Sequence, residues 1–237
     1  TPLMEWVGLD VNQLSGTVPS EWLSHTPQMK EVYLGSNQLS GTVPSEWLSH
    51  TRQMKVVGLD SNRLSGTLPS EWLRHTPLME GVLLGSNNQL GGTVPSEWLS
   101  HTPLMKEVSL QNNSLSSIHL DDATAPNLKT LDVSNNSLTN LTLAGANAEL
   151  TYLNASHNPM LVHIEIAALS RIMYLDVGQR RADGMKPGAR LWSVPPIPAS
   201  ARVVDVGYSG ARLDQTTRGR EQRHRAAASG RTPRGVR

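Results

Sequence analysis

Residues 29–53 read MKEVYLGSNQLSGTVPSEWLSHTRQ, and at Met54 the same phrase starts again. Met4, Met29, Met54, Met79 and Met105 stand 25, 25, 25 and 26 residues apart. Within each interval LSGTVPSEWLSHT, or a close variant of it, returns at Leu14, Leu39, Leu64 and Leu90. Self-similarity at a fixed period implies one supersecondary unit stacked many times, since a single unit of this size cannot bury its own apolar face. The opening half of the unit shows how it stacks. In EVYL, Val32 and Leu34 fall on one side of an extended chain and Tyr33 on the other, because side chains alternate along a strand. Met29 and Leu39 add to the apolar side. Stacked units pair these strands into a parallel sheet over a shared core.

The pattern outlasts the near-identical copies. MKEVSLQNNSL begins at Met105, LKTLDVSNNSL at Leu128, LTYLNASHNPM at Leu150 and IMYLDVGQR at Ile172, with ARVVDVGYSGA at Ala201 as a degenerate ninth copy. The later periods are 23, 22, 22 and then 29. The shared form, L-x-x-L-x-L-x-x-N-x-L, is the leucine-rich repeat signature. The expected fold is an α/β solenoid of about 8–9 coils, with a parallel sheet on the concave face and short 3₁₀ or α turns on the convex face. Four regions follow from the spacing. Residues 1–115 hold the near-identical repeats and 116–179 the shorter ones. Residues 180–213 read as a degenerate repeat or C-terminal cap, and 214–237 as a disordered, Arg-rich tail.

Two ladders build the shape. Asn12, Asn37, Asn62, Asn87, Asn113, Asn136 and Asn158 sit where the chain turns inward. A side-chain amide there satisfies backbone groups that would otherwise be buried unpaired, at roughly 1–3 kcal/mol each. In the return half, Gly16 permits a tight turn and Pro19 suits the first position of a short helical turn across residues 20–24. Trp22, Trp47, Trp72 and Trp98 are expected to stack inward, supplying the aromatic bulk of a chain with no Phe.

The chemistry the sequence excludes is as informative. With no Cys there are no disulfides, no thiol nucleophile and no thiolate-bound metal. The net charge of +1 gives no global attraction to nucleic acid or anionic membrane. The balance is uneven: residues 214–237 carry seven Arg against one Asp and one Glu, or +5, which leaves −4 on the rest. No apolar run approaches the roughly 18 residues of a membrane helix. His25, His50, His75 and His101 form a row, as do the Glu residues of SEW, but both rows follow from duplication and carry no metal or catalytic spacing. Glu21 and His25, four apart, suit a weak surface pair. No cofactor is implied, and no enzyme. Four N-x-S/T sequons, at Asn112, Asn135, Asn140 and Asn154, are candidate glycosylation sites if the chain enters the secretory pathway. The chain opens TPLM, letters that recur in mid-repeat at Thr76 and Thr102, and so reads as a fragment or a processed product.

What varies between copies is the outward side of the strands. Trp6, Lys30, Glu31, Tyr33, Lys55, Val56, Glu80, Leu83, Lys106, Glu107, Lys129, Asp132 and Tyr152 are the candidate ligand-binding residues, beside Glu5, Gly8, Gly58, Ser109, Thr130 and Asn154. Solenoids bind partners on extended concave surfaces, and aromatic side chains commonly anchor such interfaces.

The segments NQLSGTVPSEW and NRLSGTLPSEW resemble the N-x-L-x-G-x-[IVL]-P motif of plant-type leucine-rich repeats, found in receptor-kinase ectodomains and in inhibitors of secreted polygalacturonases. The acidic-Trp pair of SGTLPSEW is similar to repeats of kinetoplastid surface proteins, the promastigote surface antigen and proteophosphoglycan group. The resemblance covers residues 1–179, most specifically 1–115. It implies a cell-surface or secreted protein that binds another protein or a glycoprotein, with no catalysis in the repeats. The chain departs from these groups in having no Cys-rich caps and no anchor. The rival readings are an intracellular scaffold or regulator of an enzyme, and repeats accessory to a catalytic domain.

Overall fold

Val32 and Leu34 leave one face of a three-residue strand and are buried, while Tyr33 leaves the other face and is half-exposed. Coils two to eight bury the same two positions, whereas in the first coil Val7 is half-buried and Leu9 exposed. The structure, a computed structural model, describes residues 3–86, 89–120, 125–143, 149–166, 170–178, 192–193 and 202–205. Its first four coils contain β1 (Trp6–Gly8), β2 (Ser15–Thr17), β3 (Glu31–Tyr33), β4 (Gln38–Gly41), β5 (Val56–Gly58), β6 (Arg63–Thr67), β7 (Gly81–Leu83) and β8 (Gln89–Val94). Then come β9 (Glu107–Ser109), β10 (Ser114–Leu120), β11 (Thr130–Asp132), β12 (Asn140–Leu143), β13 (Tyr152–Asn154) and β14 (His163–Ile166). The last are β15 (Tyr174–Asp176), β16 (Trp192–Ser193) and β17 (Arg202–Asp205). The odd-numbered strands form one nine-stranded parallel sheet, in chain order, and the even-numbered strands an eight-stranded one. The expected degenerate coil at 180–213 is described only at β16 and β17, which pair with β14 and β15. The expected tail, 214–237, lies outside the described residues.

The two sheets are registered differently. In the first, partners are one repeat apart: Trp6 faces Glu31, and Glu31 faces Val56. In the second, Ser15 faces Gln38 and Thr17 faces Ser40, two residues short of the repeat. Equivalent residues therefore stand in straight columns on the first sheet and are staggered on the second. The stagger brings the Thr17 methyl over Gly41, where an added Cβ would lie 2.9 Å away. Thr42 and Gly66 repeat the contact, at 2.8 Å. Gly41 and Gly66 also have φ of 79° and 82°, a region L side chains avoid. The glycine of LSGT is thus required twice over.

The second sheet is a feature that the residue pattern did not predict. The return segment also differs in detail from the expected helical turn. Its amides make isolated i to i−3 bonds, Trp22 to Pro19, Ser24 to Glu21 and Thr26 to Leu23. Among the described residues they regularise into a 3₁₀ helix only at Ser96–Leu99. A Pro-led segment this short has too few amides to propagate a helix, and packing of its Trp fixes it instead.

Between the sheets lies one core. Met29, Met54, Met79 and Met105 form one buried rung, Val32, Val57, Val82 and Val108 the next, and Leu34, Leu59, Leu84 and Leu110 a third. Trp47, Trp72 and Trp98 are each 1% exposed. With the half-buried Trp22 they stack in series, ring centroids 6.1, 6.5 and 6.2 Å apart and planes within 16°. The indole N–H groups of the three buried rings have no acceptor within reach. Each such donor costs roughly 1–3 kcal/mol. Burying about 150–250 Å² of ring at about 25 cal/mol/Å² returns about 4–6 kcal/mol, so the stack is net favourable.

The asparagines stitch coil to coil. Asn62 donates from Nδ2 to Leu34 O (2.9 Å) in the coil before, and to Leu59 O and Asp60 O in its own turn. Its Oδ1 accepts the amide of Leu39, 2.9 Å away. Asn37, Asn113, Asn136 and Asn158 make the same four contacts. Asn12, in the exposed first coil, makes two bonds within its own turn. Asn87 lies outside the described residues. One residue earlier the backbone is left-handed in every described coil: Val11, Ser36, Ser61, Ser86, Asn112, Asn135 and His157 have φ of 53–60°. That twist aims their amides at a carbonyl of the next coil, as Ser36 N does to Asp60 O, at 2.9 Å.

Two stability outcomes follow. Asn62→Ala removes four hydrogen bonds to the backbone, three of them buried, and is expected to cost about 3 kcal/mol or more, against about 1 kcal/mol or less for Asn12→Ala, in denaturant unfolding. Val11 is 76% exposed, β-branched and at φ 54°, so it loses little packing and relieves strain when replaced. Val11→Gly is expected to raise stability by about 1 kcal/mol, read as a higher denaturant midpoint at unchanged slope.

Candidate functional site: the concave sheet

Because the register of the first sheet equals the repeat, its exposed face is a grid. The border column, just before the strands, runs Glu5, Lys30, Lys55, Glu80, Lys106 and Lys129. The second column runs Trp6, Glu31, Val56, Gly81, Glu107, Thr130, Tyr152 and Tyr174, and the third Gly8, Tyr33, Gly58, Leu83, Ser109, Asp132, Asn154 and Asp176. A fourth column, two residues further on, holds Asp10, Gly35, Asp60, Gly85 and Gln111. All thirteen residues read from the sequence as ligand-binding candidates lie in the first three columns. The fourth column, Tyr174 and Asp176 were not among them. The signal for Tyr174 and Asp176 was present in IMYLDV, which matches LTYLNA position for position.

Two ion pairs lie along the border column. Lys30 Nζ donates to Glu5 Oε2 at 2.7 Å, and Lys106 Nζ to Glu80 Oε2. The hydrogen bond from Lys106, with the charges of Lys106 and Lys55, holds the Glu80 carboxyl below its ordinary range. These pairs are solvent-exposed, so each contributes at most about 1 kcal/mol, and the border keeps the net positive charge of Lys55 and Lys129.

The interior columns divide into two stretches. At coils one to four, glycines form the floor and neighbouring side chains lie across them. A Cβ on Gly8 would stand 2.3 Å from the Trp6 indole, and one on Gly58 3.2 Å from the Tyr33 ring. A Cβ on Gly35 would stand 2.7 Å from Asp60 Oδ1. Tyr33 donates its hydroxyl to Glu31 Oε2, at 3.2 Å. Burial raises the Tyr33 phenol above its ordinary value, and the Glu31 charge adds to it.

At coils six to eight the face is tyrosine and carboxylate. Tyr152 and Tyr174 stack with centroids 4.4 Å apart and planes 7° from parallel. Asp132 accepts from Ser134 N and Oγ and from Asn154 Nδ2, and lies 3.5 Å from the Tyr152 hydroxyl. Burial, followed by the Asp176 charge, pushes the Tyr174 phenol up to about 12. Burial and Asp132 raise Tyr152 in the same direction.

Elsewhere the geometry carries less chemistry. Among the described residues no group of three or more His, Asp or Glu is placed to hold a metal ion. His25, His50 and His101 hydrogen-bond the preceding serines, Ser24, Ser49 and Ser100, rather than the Glu four residues earlier. Of the sequons, Asn140 is exposed at the start of β12. Asn112 and Asn135 sit at the left-handed corner, with Asn135 Nδ2 donating to Asn112 Oδ1. Asn154 is half-buried on the concave face. No helix among the described residues is long and apolar enough to cross a membrane.

Comparison with known proteins agrees with this architecture. A Leucine Rich Repeat family model matches residues 127–145. No curated protein matches. Among solved structures, the chain is similar to one in the BIR3–SERK2 complex from Arabidopsis thaliana, at 26% identity and TM-score 0.50, over 60% of this chain and 72% of that one. It is also similar to the plant peptide hormone receptor RGFR1 in complex with RGF2, at 23% identity and TM-score 0.58, over 87% of this chain and 28% of the receptor. A third is the ectodomain of the receptor kinase GASSHO1/SCHENGEN3 from Arabidopsis thaliana in complex with CASPARIAN STRIP INTEGRITY FACTOR 2, at 22% identity and TM-score 0.50, over 74% of this chain and 27% of that one. The chain thus spans under a third of the length of those last two. Periodic sequence, two parallel sheets, the asparagine ladder and these likenesses converge: the chain has the leucine-rich repeat fold.

Proposed function

We propose that the chain is a non-enzymatic binding module that holds another protein, or a glycan, against its concave sheet, and that it is displayed at a cell surface or secreted. The observation that carries this reading is the contrast between the two sides of each coil. In the first four coils the return segments are almost identical, whereas the straight columns of the concave grid change charge, size and aromaticity at nearly every step. A continuous surface with varied side chains on a rigid ladder suits recognition of one partner along its length. The likeness to ectodomains solved with protein and peptide partners supports the same reading. The reading assigns the grid no catalytic role and calls for no cofactor.

The binding face is tested by panning a displayed random-peptide library on the intact chain and remeasuring the selected peptides on variants. Glu107→Lys and Tyr152→Ala are expected to weaken binding about tenfold or more, and His50→Ala and Arg74→Ala by less than about twofold. Equal losses from both faces would sink the reading.

Surface display is tested by the mass of the protein from its native source before and after enzymatic removal of N-glycans. A drop is expected, and Asn140→Gln is expected to abolish most of it. Asn154→Gln should leave it unchanged, because the Asn154 amide is half-buried and donates to Asp132. An unchanged mass with all four sequons intact would favour an intracellular scaffold.

A further inference from the structure

The fourth column of the grid holds a carboxylate arrangement that the fold does not require. Asp10 and Asp60 stand two coils apart with Gly35 between them. Asp60 leans across the intervening coil toward Asp10, its Oδ1 lying over the Gly35 backbone. The charge acting on Asp60 is thus the like charge of Asp10, and the hydrogen bonds its carboxylate accepts come from the local backbone and from the hydroxyl of its neighbour Ser61. Burial raises the Asp60 carboxyl above its usual range, and Asp10 pushes it the same way. On the other side of this patch lies Trp6. Its indole spreads over Gly8, midway along the rung to Asp10, and is 58% exposed. The aromatic surface and the carboxylates are therefore neighbours on a floor of glycine. Across the first three rungs the grid carries four carboxylates, Glu5, Asp10, Glu31 and Asp60, against two lysines, Lys30 and Lys55. Both lysines belong to the opposite border, where Lys30 is already paired with Glu5.

Resting on the reading of the concave sheet as a binding face, we propose that this corner is an arginine pocket: an extended peptide lies along the grid and places a guanidinium over the Trp6 indole, between the Asp10 and Asp60 carboxylates. The chemistry selects arginine among cations. Its planar guanidinium stacks on an indole face and still presents N–H groups at its edges to carboxylates on two sides. A lysine ammonium is a point charge and cannot do both as well. The glycine floor matters because a side chain at Gly35 would displace Asp60 and one at Gly8 would lift Trp6. The occupant is an extended peptide because the face is a flat ladder of short strands whose rungs lie about 5 Å apart, and a partner fitted to it reads one side chain per rung.

The test uses the intact chain and a positional-scanning library of acetylated, amidated hexapeptides, with binding read by calorimetry. Arginine-fixed pools are expected to bind about tenfold more tightly than glutamate-fixed pools, and lysine-fixed pools to fall between. Asp60→Asn and Asp10→Asn are close to isosteric, and circular dichroism with the unfolding midpoint shows that the fold is kept. Each is expected to weaken the arginine pools about tenfold and to leave pools fixed with an aliphatic residue unchanged. Trp6→Ala should reduce the preference for arginine over lysine. Arginine pools no tighter than glutamate pools, or an arginine preference untouched by both Asp variants, overturns the pocket. If binding is instead lost with Glu107→Lys or Tyr152→Ala, the concave face keeps its role and only the pocket falls. If no pool binds, or no concave variant alters any pool, the pocket and the binding face fall together.

Discussion

A side-chain amide that reaches from one coil into the coil before it is the constraint on which the rest depends. The parallel strands of this solenoid are three residues long, too short to hold one another by their own ladder. The corner after each strand has to be buried, since the chain turns inward to close the coil. Its carbonyls and amides would be orphaned there without a partner of fixed shape. Asparagine supplies two donors and an acceptor at one point, and each inner Asn spends them on both its own turn and its neighbour. Once the corners are fixed, the register of the first sheet is fixed, and with it the straight columns of the concave face.

Glycine does the complementary work. On the second sheet it takes a backbone conformation that other residues avoid and accepts the methyl of a threonine one coil back. On the concave face its role is different, for there the backbone is ordinary and the missing side chain is what counts. Trp6, Tyr33 and Asp60 lie where they do because Gly8, Gly58 and Gly35 leave the space. Function and architecture thus draw on the same residue for unrelated reasons.

Much of this was legible in the residues. Alternation in EVYL placed Val32 inside and Tyr33 outside, and the regular return of Asn and Trp placed both ladders. What was not legible depended on relations between coils. The strands around LSGT carry Ser and Gly, poor strand formers, and exist because a staggered neighbour supplies their partners. The left-handed corner falls on Ser and Val as well as on Asn, residues whose identity gives no hint of it. Nothing in the residue pattern marked Asp10 and Asp60, which the register sets on either side of Gly35. Tyr174 was within reach of the pattern, and its pairing with Tyr152 required the register.

The straight register of the first sheet has one more consequence. Coil two meets coil one through the same contacts by which coil three meets coil two, with Val7, Val32 and Val57 in line. Removing residues 29–53 would therefore rejoin surfaces that already fit. The array behaves as a ruler graduated in coils, whose length can change by one graduation, about 5 Å of face, without a new interface having to arise. A gene that duplicates or drops such a segment alters the reach of the protein and the order of the side chains along it in a single event, while the core stays as it was.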